Sequence, residues 1–170
     1  KMDDLQKRGL IAGDTRRSLL SNTLVIVVDK DATNTIATPL DLASDNFKRI
    51  ALAETRTVPA GIYARSHLAK LDLWDKVSAK IIPTENVRGA LAAVEAGNAD
   101  AAIVYKTDAL ISKRVRIAHE IPATDGPAIR YPLAAVKDAK NPAGARQLIA
   151  HLASPAGLRV FEKHGFLVRQ

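Results

Sequence analysis

The chain has 170 residues, with 25 lysines and arginines against 18 aspartates and glutamates, which gives a formal net charge of +7. Hydrophobic residues make up 47% and charged residues 25%, a globular composition that excludes a disordered or collagen-like chain. The absence of cysteine excludes disulfides, thiolate metal sites and cysteine nucleophiles. The excess of positive charge indicates an anionic partner: nucleic acid, an acidic membrane surface or a small anion.

The first elements are a helix and an apolar strand. Residues 1–9 are typical of a helix that is already under way at the first residue and ends at Gly9, so we expect an amino-terminal part to be missing. The run Leu24–Val28 is apolar throughout, which is typical of a strand buried on both faces. Thr38-Pro39 predicts a helix start, and a short strand is predicted at 49–53.

Helices and strands then alternate. Pro59 begins a predicted helix, a strand follows at 79–82, Asn86 caps a helix that ends at Gly97, and 101–104 is a short apolar strand. Strands separated by helices of about ten residues form βαβ units with right-handed connections. We therefore expect an α/β fold with a mostly parallel sheet flanked by helices.

The last third of the chain has a different pattern. Residues 115–121 and 129–136 are predicted to be extended, on either side of the turn-rich segment 122–127. Two helices follow, one opening at Asn141-Pro142 and the other at Ser154-Pro155. The sequence contains no internal repeat and no linker long enough to separate independent domains.

Motifs of catalysis, metal binding and nucleotide binding are missing from the sequence. There is no G-x-S-x-G and no glycine-rich phosphate loop after a predicted strand. The histidines stand singly, without the spacing of metal ligands; they are His67, His119, His151 and His164. Basic residues are dispersed and are not interleaved with aromatics, which favours a solvated surface over a nucleic-acid groove. We therefore predict a non-enzymatic protein without a cofactor, a direct cation site or a nucleic-acid partner.

Two predicted helix starts are suited to an anion. Residues 57–61 and 86–89 are small or non-acidic, although Glu85 directly precedes the second segment. Both segments follow strands, at the sheet edge where open α/β folds bind ligands. The first amides of a helix attract anions. Every βαβ unit has such an end, so an ordinary helix start remains an alternative.

Four segments resemble a known family in their order and spacing. They are 58–64 (VPAGIYA), 85–91 (ENVRGAL), 102–109 (AIVYKTDA) and 161–166 (FEKHGF). Together they resemble the periplasmic molybdate-binding proteins of ABC importers, and the likeness extends over the whole chain. The resemblance implies the type II periplasmic binding-protein clamshell, in which two lobes close over a tetrahedral oxyanion.

The resemblance also implies three ligand-binding positions. Ala60 and Val87 match positions whose backbone N–H groups reach the oxyanion, and Tyr105 matches a tyrosine whose hydroxyl donates to it. From its own context, Tyr105 is better explained as a tyrosine packed at a strand end. The implied protein is periplasmic, captures molybdate or tungstate with neutral donors, and delivers the anion to the membrane permease of an ABC importer.

The family pattern divides the chain between two lobes. Residues 1–19 and 128–170 match remnants of lobe one, and 20–127 match a nearly complete lobe two. Family members carry a further amino-terminal segment, with two serine positions of the oxyanion shell, that has no counterpart here. We expect lobe one to be incomplete, the intact protein to be a monomer, and the truncated chain to be able to self-associate through an exposed sheet edge.

Three other readings remain open. One is the ligand-sensing effector module of a transcription regulator with the same fold, for which a helix-turn-helix encoded upstream would be the evidence. Another is an enzyme that uses the same clamshell, with Lys106 and Asp108 as the titratable groups near Tyr105. The third is a truncated fragment that folds but binds nothing.

Overall fold

The chain divides into two compact units, each with a sheet of its own. The computed structural model describes residues 1–169. Unit 1 comprises Lys1–Asn22 together with the chain from Ile129 onward, and unit 2 comprises Thr23–Ala128. The sequence pattern placed these boundaries after residues 19 and 127.

The secondary structure follows the expected alternation of strands and helices. In chain order the elements are α1 (Met2–Lys7), β1 (Arg17–Ser21), β2 (Leu24–Asp29), β3 (Ile50–Ala53), α2 (Pro59–Lys70), α3 (Trp74–Val77), β4 (Ile81–Thr84), α4 (Val87–Glu95), β5 (Ala101–Tyr105), α5 (Lys106–Ala109), β6 (Val115–Glu120), β7 (Tyr131–Leu133), α6 (Pro142–Leu152), α7 (Pro155–Lys163) and β8 (Leu167–Val168). Short 3₁₀ helices occupy Gly13–Thr15, Pro39–Ala43 and Ser78–Lys80.

Several boundaries differ from the sequence prediction for local reasons. The strand expected at 79–82 begins only at Ile81, because Ser78–Lys80 form a 3₁₀ turn. The extended segment expected at 129–136 contains a strand only at Tyr131–Leu133. The helix start at Thr38-Pro39 is confirmed, but as a five-residue 3₁₀ helix closed by a capping box.

The sheet of unit 2 is mixed. The predicted α/β fold is confirmed, but the expectation that its sheet is mostly parallel is corrected. Its strand order is β4-β3-β5-β2-β6. Strand β3 runs parallel to β4 and β5, whereas β2 runs antiparallel to β5 and β6. In unit 1, β1 lies between β7 and β8 and is antiparallel to both.

The direction of β2 was not readable from its apolar run. Residues Leu24–Val28 are at most 1% exposed, and a central strand covered on both faces gives the same continuous pattern whether its neighbours are parallel or antiparallel. Strand β6 follows a short connection, 106–114, that contains only the four-residue helix α5. Both β5 and β6 are antiparallel to β2, which lies between them, so β5 and β6 run in the same direction and this connection returns the chain to the opposite end of the sheet.

The core of unit 2 lies on both faces of this sheet. On one face, Val25 and Val104 belong to a buried cluster with Ala90 and Val94 of α4. Alternate strand residues point to the opposite face, and there α2 packs against β3 and β5. This arrangement places the first turns of α2 and α4 just beyond the strands that precede them.

Unit 1 is held by a small aromatic group and a buried hydroxyl. Phe166 packs edge-to-face against Tyr131 and Phe161, with ring centroids 5.5 and 5.8 Å apart. The Thr15 hydroxyl donates to the Ala12 carbonyl at 2.6 Å and accepts from the Ala135 amide at 2.9 Å. The bond between Ala135 and Thr15 joins the carboxyl-terminal part of unit 1 to its amino-terminal part, whereas the aromatic contacts lie within the carboxyl-terminal part.

Candidate functional site

One edge of the unit 2 sheet collects the predicted ligand-binding residues. Parallel pairing places Ala53 of β3 opposite Thr84 of β4, and antiparallel pairing places Tyr105 of β5 opposite Leu24 of β2. The carboxyl ends of β3, β4 and β5 therefore lie beside the start of β2. We call this the site edge: the residues that directly follow β3, β4 and β5, together with the start of β2 and the end of β6.

Ala60 occupies the first turn of α2 at the site edge. The helix begins at Pro59, with Val58 as its N-cap, and its first turn contains no acidic residue. The Ile62 amide donates to the Val58 carbonyl, so the amides of Ala60 and Gly61 come before the first bond of the helix. Ala60 itself is 2% exposed, so its methyl side chain does not face solvent.

Gly61 fixes the position of this helix start on β3. A Cβ at Gly61 would lie 2.5 Å from the Glu54 carbonyl oxygen and closer still to the Ala53 carbonyl oxygen. Only glycine permits so close an approach of the helix to the end of the strand. In the sequence, Gly61 indicates only a small residue at a helix start, whereas its packing against the strand depends on the tertiary structure.

Glu54 organises the loop between β3 and α2, and it is not among the residues predicted from the sequence. Its carboxylate accepts from the Arg56 amide at 3.0 Å, the Thr57 amide at 2.8 Å and the Thr57 hydroxyl at 2.8 Å. The Thr57 hydroxyl contributes most to lowering the pKa of Glu54 to about 2. A carboxylate directly after a strand and three residues before a threonine is the signal that would have found this loop.

Val87 occupies the first turn of α4, which follows β4 at the site edge. Asn86 is the N-cap, and its side-chain oxygen accepts from the Gly89 amide at 3.0 Å. The Ala90 amide donates to the Asn86 carbonyl at 3.2 Å. The amides of Gly89 and Ala90 therefore donate to the cap and to the first helical acceptor. The amides of Val87 and Arg88 have no acceptor within the helix.

Tyr105 is the last residue of β5 and directly precedes α5. Its side chain is partly exposed at the site edge. The next amide, that of Lys106, donates to the Thr23 carbonyl at 3.0 Å, which ties the end of β5 to the start of β2. The structure therefore brings Ala60, Val87 and Tyr105 to the same edge of one sheet.

Two charged residues follow Tyr105 closely in the chain, Lys106 and Asp108, and their surroundings differ. Lys106 forms an ion pair with Glu120 at 2.8 Å. Burial raises the pKa of Asp108, and the nearby charge of Arg88 opposes that rise.

The histidines do not assemble into a metal centre. Within residues 1–169, no group of three or more histidine, cysteine, aspartate or glutamate side chains is arranged to hold a metal ion. His67 is 5% exposed and lines a pocket that also contains His119, Lys70 and Asp125.

Among residues 1–169, no helix is long and apolar enough to cross a membrane.

The mixed sheet flanked by helices defines the class of fold: it is the type II periplasmic binding-protein fold, which solved relatives of the chain share. The chain belongs to the family of bacterial extracellular solute-binding proteins, whose family model matches residues 1–167. Proteins of this family bind solutes and are not enzymes, which confirms the non-enzymatic prediction.

Individual relatives agree with this assignment. The chain is 42% identical to the protein YvgL of Bacillus subtilis, assigned as an ABC transporter substrate-binding lipoprotein, over 98% of its length. It is 37% identical to the molybdate-binding protein ModA of Escherichia coli over 99% of its length. It spans 63% and 66% of the lengths of these two curated relatives.

A solved structure gives the same picture. The substrate-binding domain assigned to a molybdenum ABC transporter of Clostridium difficile superposes with a TM-score of 0.87 at 31% identity. The match covers 99% of this chain and 73% of that one. The resemblance to molybdate-binding proteins found in the sequence is thereby confirmed.

Proposed function

We propose that the protein captures molybdate or tungstate in the periplasm and delivers the anion to the permease of an ABC importer. The observation that carries the proposal is the meeting of the α2 and α4 first turns with Tyr105 at one sheet edge, in a chain 37% identical to a molybdate-binding protein. The proposed ligands of the anion are the amides of Ala60 and Val87 and the hydroxyl of Tyr105.

Neutral donors are sufficient for such a ligand. Each helix N-terminus stabilises an anion by about 0.3–2 kcal/mol, and neither first turn contains an acidic side chain that would repel it. Donors fixed on rigid helices select by size and oxygen geometry. We therefore expect molybdate and tungstate to bind alike, and the smaller sulfate and phosphate to fit loosely.

The net charge of +7 then has a secondary role. The proposed ligands are two backbone amides and a hydroxyl, so positive charge elsewhere on the chain acts only as a field that steers anions toward the protein. The intact protein is proposed to act as a monomer that meets its permease in the membrane.

A thermal-shift titration tests the proposal. The protein expressed from its complete reading frame and the 170-residue chain are each titrated with molybdate, tungstate and sulfate. At a ligand concentration of one hundred times Kd, binding stabilises the folded state by about 2.7 kcal/mol, or about 5–11 °C in Tm for a chain of this size. Equal shifts with sulfate and molybdate would contradict the proposed specificity.

The 170-residue chain provides the comparison that tests how much of the site it contains. It carries all three proposed ligands of the anion, which lie in unit 2, but has no counterpart of the two serine positions that the resemblance implies, so its shift with molybdate should be much smaller. The variant Tyr105→Phe removes one donor without changing the ring, and it should reduce the molybdate shift of the longer protein. An unchanged shift in that variant would remove Tyr105 from the proposed ligand set.

A further inference from the structure

A closed ion pair lies at the site edge, next to the proposed ligand Tyr105. The Lys106 ammonium donates to both carboxylate oxygens of Glu120 at 2.8 Å. The Thr23 hydroxyl donates to one of these oxygens at 3.3 Å. Lys106 and Glu120 are 28% and 42% exposed, so both charges are half-buried and solvent reaches the pair.

The backbone keeps this pair beside the site. Lys106 follows Tyr105 directly, so their α-carbons are about 3.8 Å apart. Glu120 is paired with Val25 in the register of β6 and β2, and β2 lies between β5 and β6. With neighbouring strands about 4.8 Å apart, the ion pair bridges the end of the sheet across β2. An anion held by Tyr105 would therefore lie within the range over which the Lys106 charge acts at low ionic strength, where the screening length is about 30 Å.

A second ion pair at the same edge is also closed. The Arg56 guanidinium donates to Glu54 at 3.1 Å in the loop before α2. The chain as a whole carries +7, yet these two cations beside the helix starts each have a carboxylate partner. Lys106 and Arg56 therefore do not present uncompensated positive charge at the site edge.

We propose that Glu120 cancels the charge of Lys106 beside the oxyanion site, and so sets the absolute affinity of the site and its dependence on salt. This inference rests on the proposed function. A bare ammonium would attract every dianion by a similar factor, whatever the anion's size. The neutral donors then determine the ratio of the Kd values for molybdate and sulfate. The ion pair prevents the site from binding all dianions more tightly.

Three variants test the proposal through the sign of their effects. Glu120→Gln leaves Lys106 with an uncompensated charge, and the Kd for molybdate should fall about two- to fivefold at 0.01 M ionic strength. Lys106→Met leaves Glu120 uncompensated, and the Kd should rise by a similar factor. The double variant restores neutrality and should return the Kd to within about 1.5-fold of the wild type. At 1 M salt, where the screening length is about 3 Å, all four proteins should bind alike.

A charge change elsewhere provides the control. Arg49 pairs with Asp100 at 3.5 Å, and these residues precede β3 and β5, at the edge of the sheet opposite to the site edge. Arg49→Met removes the same charge as Lys106→Met. Because of the greater distance, its effect on Kd should be clearly smaller.

The outcomes separate this inference from the proposed function. Titrations use the protein from its complete reading frame with sodium molybdate and sodium sulfate, and Tm is measured for each variant. Absence of molybdate binding by the wild type overturns the proposed function and this inference with it. If the wild type binds molybdate but the two single variants change Kd in the same direction, this inference alone is overturned and the ion pair is purely structural. The same conclusion follows if the Kd of the double variant is no lower than that of the weaker-binding single variant.

Discussion

Gly61 at the start of α2 packs directly against the carbonyl oxygen of Ala53 at the end of β3, leaving no space for a Cβ. The contact is between backbone atoms on both sides, so no side chain can rotate away to relieve a clash. The distance between helix and strand at the proposed site is therefore set by the absence of a single methyl group.

Replacing Gly61 with alanine should displace the α2 start. Overpacking of this kind costs about 1–3 kcal/mol of unfolding free energy, and moving the Ala60 amide should also weaken molybdate binding. Urea unfolding and a molybdate titration measure the two effects. The control is Gly13→Ala, whose Cβ would meet only the end of the Gln6 side chain at 3.6 Å; a loss as large in Gly13→Ala would argue against the packing explanation.

Asn86 and Asn141 form a matched pair of helix caps. Each accepts from the amide three residues on, Asn86 from Gly89 at 3.0 Å and Asn141 from Gly144 at 2.9 Å. Either alanine variant should lose about 0.5–2 kcal/mol of stability. Only Asn86→Ala should also raise the Kd for molybdate, because α4 carries Val87. Similar binding losses in both variants would show that global stability, rather than the α4 start, controls affinity.

The loop carboxylate Glu54 should make stability depend on acid pH. Its folded pKa is lowered to about 2 from 4.5, so between these values the unfolded chain binds more protons than the folded one. The contribution is complete above pH 4.5 and is lost as the pH falls toward 2. Glu54→Gln should flatten this part of the profile of unfolding free energy against pH. The same change at the exposed Glu162 of α7 is the control, and equal flattening there would refute the assignment.

His67 should make stability fall at mildly acidic pH. Its burial, with the charge of Lys70, lowers its pKa below 6.5, while Asp125 acts in the opposite direction. The unfolded chain then takes up a proton near pH 6.5 that the folded chain resists, so the penalty is absent above this pH and grows as the pH falls below it. Unfolding free energies between pH 8 and 5 should show a smaller slope for His67→Gln than for the wild type.

The exposed His151 of α6 supplies the control for that measurement. His151→Gln also removes one histidine, but its side chain is not enclosed in the folded protein. The slope of the wild type should therefore persist in His151→Gln. If both variants flatten the profile equally, burial of His67 is not its cause.

Local sequence patterns determined the elements and their ends. The sequence predicts Asn86 as a helix cap and helix openings at Asn141-Pro142 and Ser154-Pro155. In the structure, the side chains of Asn86, Asn141 and Ser154 each accept from an amide in the first turn of the helix. Gly9 and Gly97 were read as helix terminators, and both adopt positive φ. The physical reason is that caps, turns and helical periodicity depend on residues within four positions of each other, so the chain carries them before it folds.

The family and the three proposed ligand positions also came from the sequence, because their motifs are short continuous segments. What only the tertiary structure decided is how distant segments meet. Three features depend on which strands become neighbours: the direction of β2, the contact of Gly61 with Ala53, and the ion pair of Lys106 with Glu120. Thr23 and Glu120 are 97 positions apart in the chain, and no local preference records that they meet. Such contacts form because the apolar residues of the whole sheet are buried together. The net charge of +7 therefore does not show that Glu120 neutralises Lys106 at the site edge.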